Sequence, residues 1–182
     1  MLRFTAAPQI KRWVFLVDMN GVRIRQGKFS IIIFLVMLTV ACGGKSPESV
    51  LAEFYVYGGA EDQLMDPLIL AGDGVVPLVI EKVKDKNMPR RRYAIGFLGN
   101  GSYRESLLVL QQILQDGTEK DYFRGDALQS IYQIDTQLGT DYAQKYQAEQ
   151  DYVGRIAKEI LAGDSSLNER RSYWDAWWGR HD

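Results

Sequence analysis

GDGVVPLVIEKVKD (Gly72–Asp85) followed by PRRRYAIGFLG (Pro89–Gly99) reads as two helices, and the pattern recurs as ESLLVLQQILQD (Glu105–Asp116) and FRGDALQSIY (Phe123–Tyr132). Each piece spaces its apolar residues as one face of a helix does. Leu78, Ile80 and Val83 align on Leu108, Leu110 and Ile113 with a shift of 30, whereas Arg91, Ala94 and Leu98 align on Arg124, Ala127 and Ile131 with a shift of 33. The difference falls in the Gly117–Asp121 linker, where extra residues disturb packing least. Self-similarity at this period predicts a short α-solenoid of antiparallel helical hairpins, each burying its apolar face on the next.

Working outward, Ser46-Pro47-Glu48 has the order of a helix start: a capping hydroxyl, a proline suited to the first turn and an acid that complements the dipole. Val50, Leu51, Phe54 and Tyr57 continue that helix, and Glu61 to Ala71 predicts a second one, kinked or restarted at Asp66-Pro67. These two are expected to cap the open end of the repeats. Within the first copy, Val76, Val79, Ile80 and Val83 form the apolar stripe; Ala94, Ile95 and Leu98 form that of the helix after it, where the small Ala94 and Gly96 would let neighbours approach closely. The string Gly96-Phe-Leu-Gly99-Asn-Gly101 has no preceding strand and no Gly-Lys-Ser/Thr, so it reads as helix termination rather than a phosphate loop. Beyond the second copy, Asp135–Gly139 reads as a turn or helix end, and Thr140 to Leu161 as one longer helix stopped by Gly163. A last amphipathic segment, Asn168 to Trp178, would cap the C-terminal end. No run alternates as a strand does, so the fold class is all-α.

The N-terminal 41 residues hold six basic residues and one acidic, then a largely apolar run from Ile31 to Ala41 ending at the only cysteine, Cys42. That run is far short of the roughly 20 residues a membrane-crossing helix needs. A basic segment, a short apolar segment and a small residue before a cut is the order of a secretory signal. Leu38-Thr39-Val40-Ala41-Cys42 resembles the lipobox of bacterial lipoproteins, with Thr39 where leucine is usual. The resemblance implies a signal peptide over residues 1–41, fatty acylation at Cys42 by chains such as palmitate, and a flexible tether over 42–46. A signal of ordinary length would start at Met19. Gly43 after the cysteine implies, by likeness to enterobacterial lipoproteins, the outer rather than the inner membrane of a bacterial cell envelope.

From Cys42 to Asp182 the chain has 141 residues with 16 basic against 22 acidic, a net charge of −6. This is enough for one domain with a sizeable core, residues 47–182, and the wrong sign for nucleic acid or an electrostatic hold on anionic lipid. With its one cysteine acylated, no disulfide forms and packing alone must hold the fold.

The repeat is similar to the short HEAT-like repeats also found in phycobilin lyase subunits, on Gly72, Asp73, Val76, Pro77, Leu78, Val83 and Asp85, then Arg91, Ala94, Leu98 and Gly99. The second copy keeps Leu110, Leu114, Asp116, Arg124 and Ala127 but lacks the Gly-Asp and the proline. The resemblance implies ion pairs of Arg91 with Asp85 or its neighbour across the repeat, and of Arg124 with Asp116. It leaves Arg90 and Arg92 free to meet a partner or a headgroup. It also implies a concave face lined by second helices, expected to present Glu81, Lys82, Gln111, Gln112 and Gln115 to a protein partner. A tetratricopeptide reading on Ala94, Phe97, Gly101, Tyr103, Ser106 and Leu110 stands beside it and would line the groove with first helices instead. An accessory role in a tetrapyrrole-handling lyase is a third reading.

Catalysis finds little support. The single histidine, His181, stands two residues from the end with no predicted partner, and Cys42 is committed to lipid, so neither a nucleophilic dyad nor a zinc site is expected. Glu61, Asp62 and Asp66 sit around a helix start, where the dipole stabilises them. Asp116 to Asp121 lacks the alternating ligands of a calcium loop. Trp174, Trp177 and Trp178 read either as a terminal cap or as a contact surface. The expectation is a non-enzymatic lipoprotein without cofactor or metal, held on the bilayer through Cys42 and binding an unidentified envelope protein.

Overall fold

The computed structural model describes residues 44–164 and Leu167, all within the compact unit that begins at Gly44. The signal segment, Cys42, Trp174, Trp177, Trp178 and His181 lie outside the described residues. Among those described there are helices and no strand, and no helix is long and apolar enough to cross a membrane.

Helix α1 (Pro47–Val56) begins as its sequence suggests, with the Ser46 hydroxyl accepting from the Ser49 N–H at 3.2 Å. It buries Val50, Leu51 and Phe54 against α2 (Asp66–Ala71), which restarts at Asp66-Pro67 after a single tight turn at Glu61–Gln63. A further tight turn, Gly72–Val75, leads into α3 (Val76–Lys82). Then come α4 (Arg91–Asn100), α5 (Leu107–Gln115) and α6 (Asp121–Ile134). Val76, Val79, Val83, Ala94, Ile95 and Leu98 are all fully buried, and Ile80, half-buried, packs against them at the edge, so the stripes read from spacing face the core.

Two sequence expectations change. The supposed helix from Thr140 to Leu161 is two helices, α7 (Thr136–Tyr146) and α8 (Tyr152–Ala162), packed on each other. Each has its own aspartate cap: Asp135 accepts from the Leu138 N–H at 3.0 Å and Asp151 from the Gly154 N–H at 3.1 Å. Asp135 both closes α6 and caps α7, so the helix end expected within Asp135–Gly139 falls at its first residue and the rest starts α7, while Gly163 does end α8, with φ of 69°. In the glycine string Gly96 and Gly99 lie inside α4, and Gly101 caps its end, so the termination expected there falls at the last glycine.

The register between the two aligned stretches is the second change. A shift of 30 sets Leu108, which is 67% exposed, opposite half-buried Leu78. The structure pairs Val79 and Val83 with Leu110 and Leu114 instead, all fully buried. The linkers agree with that shift of 31, since Asp85 accepts from the Asn87 N–H and Asp116 from the Thr118 N–H, both at 2.9 Å.

Helix α6 is the hub, packing against α4, α5, α7 and α8. Being covered on several sides, it buries its polar residues as well: Asp126, Gln129, Ser130 and Gln133. A central helix is ordinarily apolar all round, so this polar strip marks the place to look for a site.

Candidate functional site

Arg91 and Arg124 set the frame. Arg91 donates from Nε to the Val83 carbonyl (2.7 Å) and from Nη1 to Glu119 Oε2 (2.6 Å), with both side chains almost wholly buried. Arg124 does the same one hairpin later, donating to the Leu114 carbonyl at 3.0 Å and to Glu149 at 3.3 Å, with Asp151 at 3.7 Å. Each guanidinium thus satisfies a carbonyl left over at the end of the preceding helix and ties it to the next linker. The partners expected from the resemblance are corrected: neither Asp85 nor Asp116 pairs with these arginines. Asp116 instead meets Lys86 at 2.6 Å and accepts from Thr118 Oγ1, and these bonds hold its carboxyl well below the usual range.

Arg90 and Arg92 are not free either. Arg90 donates to the Phe54 carbonyl at 2.9 Å. Arg92 grips Asp126 with two hydrogen bonds, Nε to Oδ2 at 2.6 Å and Nη2 to Oδ1 at 3.0 Å. The Tyr152 hydroxyl completes the triangle, donating to Asp126 Oδ1 at 3.2 Å. The bonds to Asp126 raise the Arg92 guanidinium above its ordinary value. Burial, with the Asp126 charge second, raises the Tyr152 phenol.

Beside this triangle lies a groove of about 270 Å³ between α4 and α6. From α4 come Arg92, Tyr93, Gly96 and Asn100; from α6 come Asp126, Gln129, Ser130 and Gln133; Glu61 and Met65 close the near end. Ser130 is already committed, its Oγ donating to the Ile95 carbonyl at 3.1 Å, and Tyr93 donates to Glu61 Oε1 at 3.3 Å. Gln133 is different. It is 8% exposed, and among the described residues its buried Nε2 has no hydrogen-bond partner. An unpaired buried amide costs about 1–3 kcal/mol, so the fold keeps it at a loss unless something outside the described residues supplies an acceptor.

Two glycines of α4 shape the groove in opposite ways. A Cβ at Gly99 would fall 2.6 Å from the Ser130 backbone, so Gly99 lets α4 and α6 touch. At Gly96 it would meet only Met65 Sδ, at 3.9 Å, so Gly96 leaves the groove floor open. The close approach expected at Gly96 therefore belongs to Gly99.

The residues expected on the partner face fall elsewhere. Glu81 and Lys82 are on α3, and Gln111, Gln112 and Gln115 on α5, not on α4 and α6, the second helix of each aligned pair. Glu81 pairs with Lys84 at 2.7 Å, and Gln115 donates to the Tyr142 hydroxyl at 2.7 Å. None of the five lines the groove. A second hollow, about 410 Å³ and more apolar, lies among Pro47, Val50, Pro67, Leu70 and Ala71, with few polar groups to orient a ligand. No cluster of three or more metal-binding side chains occurs among the described residues. The groove residues were visible in the sequence only as polar positions on predicted helices. Compared with protein-family models, curated proteins and solved structures, the chain finds no match.

Proposed function

We propose that this chain is a membrane-anchored lipoprotein acting as a non-enzymatic scaffold, a short HEAT-like α-solenoid that holds a partner protein in the groove between α4 and α6. The carrying observation is the buried polar strip Asp126, Gln129, Ser130 and Gln133 on a helix otherwise enclosed by neighbours. Stacking of α6 between α4 and α8, with the Arg91 and Arg124 ties repeated one hairpin apart, supports the solenoid reading. A groove lined by second helices supports HEAT-like over tetratricopeptide geometry. α1 and α2 serve as the N-terminal cap, and Cys42 carries the acyl anchor.

A photo-reactive side chain at Asn100, on the groove, should cross-link in cells to one defined membrane-associated protein, while the same group at Gln112, exposed on α5, should not. In Cys42→Ala, fatty-acid label and membrane association should both disappear. Equal yields from both positions, or label retained without Cys42, would remove the corresponding half of the proposal.

A further inference from the structure

Given the lipoprotein reading of Cys42, on which this inference rests, we infer that the apolar hollow between α1 and α2 houses an acyl chain carried by that cysteine whenever the protein is away from the bilayer. Chain connectivity is the first observation. Gly44 and Lys45, the first described residues, themselves line the hollow. Cys42 precedes Gly44 by two residues, and two residues of chain span at most about 7 Å. A hydrocarbon bonded to the Cys42 sulfur therefore starts close to the wall that Gly44 forms, without any long linker to cross.

The lining supplies the second observation. Val50 and Val75 are buried and Pro67 is buried beside them, while Leu70, on the rim, is 67% exposed. The charged residues of the lining, Lys45 and Glu53, pair with each other at 2.5 Å, so neither is left to repel an apolar occupant. Few polar groups remain to orient a ligand, which argues against most small molecules but not against a hydrocarbon. An alkyl chain has no donor or acceptor to satisfy and is held by burial alone. The volume, about 410 Å³, lies within the roughly 300–1,000 Å³ of ligand pockets.

The third observation is the open wall at Gly74. A Cβ there would meet nothing within 4 Å, and its φ is not in the left-handed region, so neither packing nor backbone geometry fills the space. Shelter of this kind has a use because a single acyl chain holds a protein on a membrane only reversibly. Each departure exposes methylenes to water unless the protein covers them, and this hollow stands at the end of the domain where the chain is attached.

The test feeds cells a fatty acid with a diazirine near its far end, purifies the acylated protein as the cell makes it, removes detergent and irradiates. Peptide mass spectrometry should place the adducts at Val50, Leu70 and Val75 of the same chain. Gly74→Phe sets a ring in the open space; it should melt as the wild type does and lower the internal adduct yield about tenfold. Its flotation with phosphatidylcholine vesicles should rise about threefold or more, because the hollow no longer competes with the bilayer for the chain. Leu70→Glu charges the exposed rim without touching the core and should lower the yield as well. Adducts confined to lipid or to a second copy, or an unchanged yield in both variants, overturn the inference. If Cys42 carries label but no internal adduct forms, only the hollow inference falls. If no label is incorporated at all, the lipoprotein reading falls and takes this inference with it.

Discussion

The two faces of α4 carry neighbouring residues of the same type to different ends. On one face Arg91 is dry, tied to Val83 and Glu119 and lying 4.7 Å from the Phe123 ring centre. Next to it Arg92 is half exposed and grips Asp126 at the mouth of the groove. Gly99 lets α4 and α6 touch, and Gly96, three residues earlier, keeps them from filling the space between them. Arg91 ties the end of α3 to the linker before α6, while the face with Arg92, Gly96 and Gly99 both packs on α6 and leaves the groove open beside it. The difference teaches that residue type sets what a side chain is able to do, and the depth at which it sits itself sets how much it matters, since both carboxylate partners are buried.

The largest effect is expected at the dry face. Arg91→Met strands the Glu119 carboxylate away from water, and urea unfolding should show a loss of about 3–5 kcal/mol. The same change at Arg92 should cost less, about 1–3 kcal/mol, since Arg92 is 50% exposed and screened, although Asp126, 10% exposed, is left with Tyr152 as its donor. Equal losses would erase the distinction between the faces.

The glycines sharpen it further because their signs differ. Gly99→Ala drives a methyl into the Ser130 backbone and should destabilise by about 1–3 kcal/mol. Gly96→Ala meets nothing closer than 3.9 Å and should stabilise by about 0.5–1 kcal/mol, the ordinary gain of alanine over glycine in a helix. Thermal melts of the two variants check this directly; a loss at Gly96 would mean that the groove is packed shut.

The smallest expected effect is alkaline and involves both faces. Burial, followed by the charge of Asp73, pushes the Tyr103 phenol up to about 12, and its ring lies 5.2 Å from Phe97 on the packed side. Tyr93 and Tyr152 on the groove side are raised too, chiefly by burial. A raised folded-state value means that the unfolded chain loses its proton first. The contribution is thus complete below pH about 10, and it falls away as pH climbs toward about 12 at Tyr103. Melting temperature followed from pH 8 to 12 should be flat at first and then decline. A melting temperature that stays flat through pH about 12 would show these phenols to be unshifted.

Apolar spacing determined most of the scaffold on its own. Val76, Val79 and Val83, Ala94, Ile95 and Leu98, and Leu110 and Leu114 announce buried stripes because a helix repeats every 3.6 residues whatever it packs against. Ser46 and Gly163 likewise mark helix ends through local hydrogen bonds and local backbone geometry. The break between α7 and α8 was written in Asp135 and Asp151 as caps, but the apolar positions on both sides of it masked the signal. Tertiary structure alone decided the rest. Arg91 meets Glu119 across 28 residues and Arg92 meets Asp126 across 34, and no local pattern encodes contacts between helices so far apart in sequence. Gln129 and Gln133 have the spacing of a solvated helix face, and only the packing of α4 and α8 beside α6 turns them into the wall of a groove. Periodicity tells which side of a helix avoids water; it does not tell which polar side will find another helix standing next to it.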